Sequence, residues 1–455
     1  MGCGASAAEA KHAEAKKSED RHSSDKEGPN DQKKTSEKVY ELDKAQDLAQ
    51  FLQDADIRLV RAEYFQKLLQ EKRPLKRRQE AEFPCETCSS LSHGVCSALV
   101  PHEEVQEWAQ GRQHALIFSI SHAWETREHP DPCRFQLQQI WNAVGLYAAA
   151  HKAGIWVFYD YMSLFQFKRQ TAAQNESFRR SMNDMHVLYA HEFTRTLRIE
   201  SLTPQDVWNT MLESDESVPV YYEETNRVEP RPLPCLTPNS NPYLQRGWCM
   251  AEIEWSSTRS DSSMHQRIGP GSEGAEHAGG RVPIAPDIFR EQMHQAVFTH
   301  RSDVESVIRL QEKIFFQKVT VCKELTLSWL PPDQLSALAA AIPHYTRLER
   351  LRLLHFECSN TEADKFGEAL AQHTTVVELE FRPKDGPAGR SMGKALAKAL
   401  KQNSSITTIN LQGNWIGDDG MEALAEALKQ NCCVTTMNLQ YAMDDEGMKA
   451  LAESL

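Results

Sequence analysis

The 455-residue chain has no apolar run approaching the ~18 residues that a membrane-crossing helix needs. Its first 36 residues are polar and hold no apolar stretch of the kind a secretory leader carries, so export by that route is not expected. Basic residues are in deficit. The 51 Lys and Arg stand against 64 Asp and Glu, and a net charge of −13 argues against nucleic acid as a partner. No glycine-rich phosphate loop and no Ser/His/Asp nucleophile arrangement is visible. Ser121 and His122 are adjacent, but neighbours on a strand point to opposite faces and form no dyad. The 11 cysteines are scattered, as fits free thiols in a reducing compartment. Cys85 and Cys88, with His93 and Cys96, have the ligand types for zinc. The spacing after Cys88 departs from common fingers and no second CxxC follows nearby, so no metal site is expected.

What the chain does have is a repeat. Leu325/Leu327, Leu351/Leu353, Leu379/Phe381, Ile409/Leu411 and Met437/Leu439 hold the same paired apolar positions. The first members, at 325, 351, 379, 409 and 437, are separated by 26, 28, 30 and 28 residues. Such a period means stacked units, none of which can bury its apolar face alone. Between the pairs, Met392–Leu400 and Met421–Leu428 carry Ala and Leu at helical spacing. Leu411-Gln412-Gly413-Asn414 completes a copy of LxxLxLxxN, and a strand followed by a full helix resembles the ribonuclease-inhibitor type of leucine-rich repeat. The resemblance implies inward-pointing apolar pairs and a concave row that includes Arg352, Glu380, Asn410, Gln412 and Asn438, the expected surface for a protein partner. Asn414 is expected to satisfy backbone groups in the turn after its strand.

At the other end, Met1-Gly2-Cys3-Gly4-Ala5-Ser6 fits the N-myristoylation pattern, with Gly2 as the acyl acceptor. One myristoyl chain holds a membrane only marginally, and Cys3 is placed to take a palmitoyl group as the second signal. The mixed-charge segment behind them reads as a disordered tether. These features predict a protein on the cytoplasmic face of a membrane. A helical pattern follows from Val39 to Gln70, then a basic cluster, Lys72 to Arg78, read either as a contact for anionic lipid or as a solvated helix end.

In the centre, strands are predicted at 116–121, 155–159 and 194–199, alternating with helices at 135–150 and 178–189. This alternation argues for a parallel sheet covered by helices, whose ligands bind at the carboxyl ends of the strands. Trp124 and Asp160 fall at two such ends. Ser121-His122-Ala123-Trp124 resembles the opening SHxW of heterokaryon-incompatibility (HET) domains. Trp156, Asp160 and Gln166 resemble a W-D-Q segment of that family, although the family usually sets its Trp two residues before the Asp rather than four. Glu176, Met185 and Leu188-Tyr189 resemble its E…M..IY stretch, and Arg246, Trp248 and Glu252 resemble its R-x-W-x-x-x-E end. The segment is also similar to Toll/interleukin-1 receptor (TIR) domains, through Phe118, Thr126 and Arg127, through Gly154-Ile155 leading to Asp160, and through Trp248-Cys249-x-x-Glu252. The resemblance spans about Ala115 to Ser257 and implies that Glu252 is the catalytic residue of a domain cleaving nicotinamide from NAD. Trp124, Asp160 and Trp248 would contact that substrate, and no bound cofactor is implied. Some forty proline-rich residues before Arg246 depart from the TIR pattern and would either lid the pocket or block it.

The expected fold is therefore α/β, in the order arm (1–38), helical segment (39–110), HET/TIR-like domain (111–257), linker (258–284), helical cap (285–318) and leucine-rich repeat solenoid (319–455). Two functions fit this order. One is a membrane-tethered signalling protein with an NAD-cleaving domain. The other is a non-enzymatic adaptor that binds proteins through both domains.

Overall fold

The computed structural model describes residues 38–81, 98–270 and 280–441. Gly2 and Cys3, with the candidate zinc ligands Cys85, Cys88, His93 and Cys96, lie outside them. From Tyr40 onward the chain forms one unit.

Its first layer system is a five-stranded sheet. The strands are β1 (Val60–Arg61), β2 (Ala115–His122), β3 (Gly154–Phe158), β4 (Thr194–Ile199) and, after the hairpin β5 (Ser217–Tyr222) and β6 (Arg227–Pro232), β7 (His265–Ile268), in the order β1-β3-β2-β4-β7. Strands β3, β2, β4 and β7 are parallel, and β1 runs antiparallel to β3. The buried runs in β2 and β3 alternate between two cores, as a sheet covered on both faces requires. Ile117, Trp156 and Phe158 face a core shared with Phe51, Leu52, Ala251, Trp255 and Phe289. Phe118, Ile120, Ile155 and Val157 face Phe65, Leu68, Ile140 and Val144.

Two expected boundaries change. Residues 39–110 are not simply a helical segment, because Val60–Arg61 enters the sheet as an edge strand. Nor is 258–284 only a linker, because β7 forms the opposite edge. Both strands are short and are made by long-range pairing rather than by local pattern. The Lys72–Arg78 cluster is partly structural. Arg78 is fully buried and donates to the carbonyls of Asp56 and Ser163, while Arg77 donates to Glu80 and to the Phe167 carbonyl.

The second sheet is the solenoid: β8 (Glu324–Ser328), β9 (Arg350–Phe356), β10 (Glu378–Pro383), β11 (Thr408–Asn410) and β12 (Thr436–Asn438), all parallel. Leu325, Leu351, Leu379, Ile409 and Met437 sit in one register across all five strands. The first four are buried in a continuous core, each contributing about 1.5–3 kcal/mol, and Met437 packs at its edge. The side edge of β8 is covered by the α/β body. Asp261 bridges to Thr326, Thr326 N–H donates to the Ser260 carbonyl at 2.8 Å, and Ser328 N–H donates to Ser262 Oγ at 2.8 Å. The helix Asp303–Val319 joins the two bodies, and its Lys318 forms an ion pair with Glu192.

Candidate functional site

The carboxyl ends of β2 and β3 carry most of the candidate chemistry. Strand β2 ends in Ser121-His122, whose side chains take different partners, as alternation dictates. His122 Nε2 lies 3.0 Å from Asp160 Oδ1, and its ring stacks on Tyr159 at 4.4 Å. Asp160, just past β3, accepts a second bond from Trp124 Nε1–H at 2.8 Å and a third from the Tyr161 N–H at 2.6 Å. Gln166 holds this turn by donating to the Asp160 carbonyl at 2.8 Å. Burial raises the Asp160 pKa, but the charge and hydrogen bond of His122 outweigh it and hold the carboxyl below its usual range. His122 is shifted the opposite way. Burial lowers its pKa, but Asp160 prevails and raises it. Each partner thus favours the other's charged form, and the Trp124 indole is fixed beside them.

Ser121 faces Glu252 instead, donating to Oε2 at 2.5 Å, and the Tyr243 hydroxyl bonds the same Oγ. Glu252 lies in the middle of the helix Gly247–Ser257, not at its start, so it gains little from the helix dipole. Its carboxyl is pushed up to about 8, first by burial and then by the charge of Asp160, against the Ser121 hydrogen bond, His122 and Tyr189. At neutral pH Glu252 is therefore mostly protonated. Asp160 and Glu252 form two acids of opposite protonation within each other's field, the pattern by which environment assigns acid and base roles.

The proline-rich insertion is built into this edge. Glu125 accepts from the Thr203 N–H at 2.8 Å and from its hydroxyl at 2.6 Å, and the Asn239 N–H donates to the Glu125 carbonyl at 2.8 Å. Arg246 Nη1–H donates to the Trp124 carbonyl at 2.6 Å. Tyr221 on β5 lies under Arg77, 5.0 Å from the guanidinium carbon, and edge-on to Phe167. The insertion also supplies Tyr243, a site residue that sequence reasoning missed, since neither its spacing nor the resemblance marks it.

Trp124, Asp160 and Glu252 thus join one network, directly or through charge. Trp248 points elsewhere. Its Nε1–H donates to Asp303 at 3.1 Å and its ring packs against Trp255, so it braces the helix Asp303–Val319. Trp248 is thus not brought to the Asp160 and Glu252 network where a substrate contact was expected of it.

On the concave face, Glu380 joins Arg352 at 2.9 Å and Arg382 at 3.0 Å. Asn410 accepts from the Gln412 N–H at 3.1 Å, Asn438 from the Gln440 N–H at 3.1 Å, and Gln412 Nε2–H donates to Gln440 across strands. Asn414 donates to the Phe381 carbonyl at 2.6 Å, one repeat back. Asn403 makes the larger clamp. It donates to the Leu370 and His373 carbonyls and accepts from the Ser405 and Ile406 N–H groups.

The leucine rich repeat family model matches residues 402–425. No match to a HET or TIR domain is found. No curated protein matches the chain.

Proposed function

We infer that the solenoid binds a protein partner, a role its leucine-rich repeat supports. Beyond that, we infer that the chain is a signalling protein whose α/β domain cleaves the N-glycosidic bond of NAD. The observation that carries this reading is the pairing of ionised Asp160 with protonated Glu252 at the carboxyl edge of a parallel sheet, beside Trp124. The bond that breaks joins ribose C1′ to the nicotinamide nitrogen. Its electron pair passes to the ring and cancels the ring's positive charge. Water adds at C1′ and gives up one proton. A carboxylate stabilises the oxocarbenium charge that builds on the ribose. A cationic nicotinamide beside Glu252 favours its ionised form, so binding releases the Glu252 proton. Cleavage should then gain rate as pH rises towards 8. Acylation of Gly2 and Cys3 would place this activity on the cytoplasmic face of a membrane.

Purified full-length protein is incubated with NAD across pH 6–9, beside Glu252→Gln, and free nicotinamide is measured. Release by the wild type alone, increasing with pH, supports the reading. Equal release by both proteins, or none, leaves the adaptor. One observation favours that second reading: Ser121 already donates to the Glu252 carboxyl and is itself held by the Tyr243 hydroxyl, as a structural network would arrange.

A further inference from the structure

A cavity of about 440 Å³ lies between the α/β body and the first two repeats. The helix Gly247–Ser257, the strap leading into the helix Pro286–Gln295, and the repeat helices Gln334–Ala341 and Asn360–Gln372 contribute to its wall. The strap is stitched to both bodies. Val282 N–H donates to Gln334 Oε1 at 2.9 Å, and Ile284 N–H donates to Glu254 Oε2 at 3.1 Å. Val282, Ile284 and Ile288 give the cavity an apolar side, while Arg281 and Lys365 bring it two cations. Among the described residues no ion pair engages either one. Glu254 is 6% exposed, and burial pushes its carboxyl up to about 7 against the Ile284 N–H, Arg281 and Arg198. Below neutrality it is largely protonated and offsets those cations little. The other lining carboxylate, Asp333, is exposed.

We propose that this cavity binds a small organic anion, its acid group held by Arg281 and Lys365 and its apolar body laid against Val282, Ile284 and Ile288. The cations supply charge and directed donors, and the aliphatic side chains reward an apolar body that a bare inorganic ion lacks. The inference does not depend on the carboxyl-edge site being catalytic. The two places share a helix, which gives Glu252 to one and Glu254 to the other.

The test is calorimetric titration of the full chain with phenyl phosphate and with inorganic phosphate, at pH 7 and fixed ionic strength. Saturable one-to-one binding of phenyl phosphate is expected, at least tenfold tighter than inorganic phosphate. Arg281→Ala with Lys365→Ala should weaken it at least tenfold. Lys365→Glu, a change at an exposed position, should weaken it as well and serves if the double variant does not fold. Ile288→Ser should weaken phenyl phosphate and leave inorganic phosphate unchanged. Non-saturating heats, equal affinity for the two probes, or indifference to Lys365→Glu would overturn the proposal.

Discussion

Replacing Glu252 by Gln keeps the shape of the side chain and an acceptor for Ser121, and removes a titration. In the folded protein the Glu252 carboxyl sits at about 8, against an ordinary value of 4.5. The folded state therefore holds this proton more tightly than the unfolded chain does. The associated stability is fully present below pH 4.5 and is lost as pH rises through 8. Each pH unit between those limits costs about 1.4 kcal/mol. From pH 5.5 to pH 9 the wild type should lose roughly 3 kcal/mol more than Glu252→Gln. Asp131 and Glu254, both raised to about 7 chiefly by burial, lose stability in the same direction, but they do so in both proteins and largely cancel in the difference. Urea unfolding followed by tryptophan fluorescence at pH 5.5, 7 and 9 measures it. The variant should match or trail the wild type at pH 5.5 and exceed it at pH 9. A wild-type-minus-variant difference that stays constant with pH would mean Glu252 is ionised throughout, and the acid-and-base assignment would fall with it.

Asp160→Asn removes the strongest influence that raises His122 against burial, so the His122 titration followed by NMR should move down in pH; an unmoved titration would refute the pairing. Asn403→Ala strips four hydrogen bonds from buried backbone and should cost about 2–4 kcal/mol, read as a lower urea midpoint. Tyr243→Phe removes a hydroxyl from Ser121 and should change the pH profile of any NAD cleavage more than its fold, checked by circular dichroism beside the kinetics. Gly2→Ala should move the protein from the membrane fraction to the soluble fraction, and unchanged fractionation would sink the acylation reading.

The solenoid was legible because its signal is local and repeated. The apolar pairs recur at one spacing, and the register they predict is the register observed. The parallel core of the α/β body was legible for a similar reason, since β2 and β3 are largely apolar runs bounded by polar turns. The edge strands β1 and β7 were not, because His265–Ile268 has no strand-like pattern and becomes a strand only by pairing with β4. Trp124 and Asp160 could be placed by topology. The protonation of Glu252 could not, because desolvation is a property of everything packed around it. Asn403 escaped notice because it stands before its strand, outside the LxxLxLxxN window, while Asn414 within the window turned out to tie its turn to the previous repeat.

The lateral cover on β8 bears on how such an architecture can be altered. An open strand edge accepts another strand, and here the α/β body has taken that place with Ser260, Asp261 and Ser262. Repeats inserted ahead of β8 would have to break this seam, whereas repeats inserted between β8 and β12 would meet only copies of themselves. The array is therefore polar in an evolutionary and engineering sense: one end is anchored, and length, curvature and binding repertoire can be varied only by growth away from it.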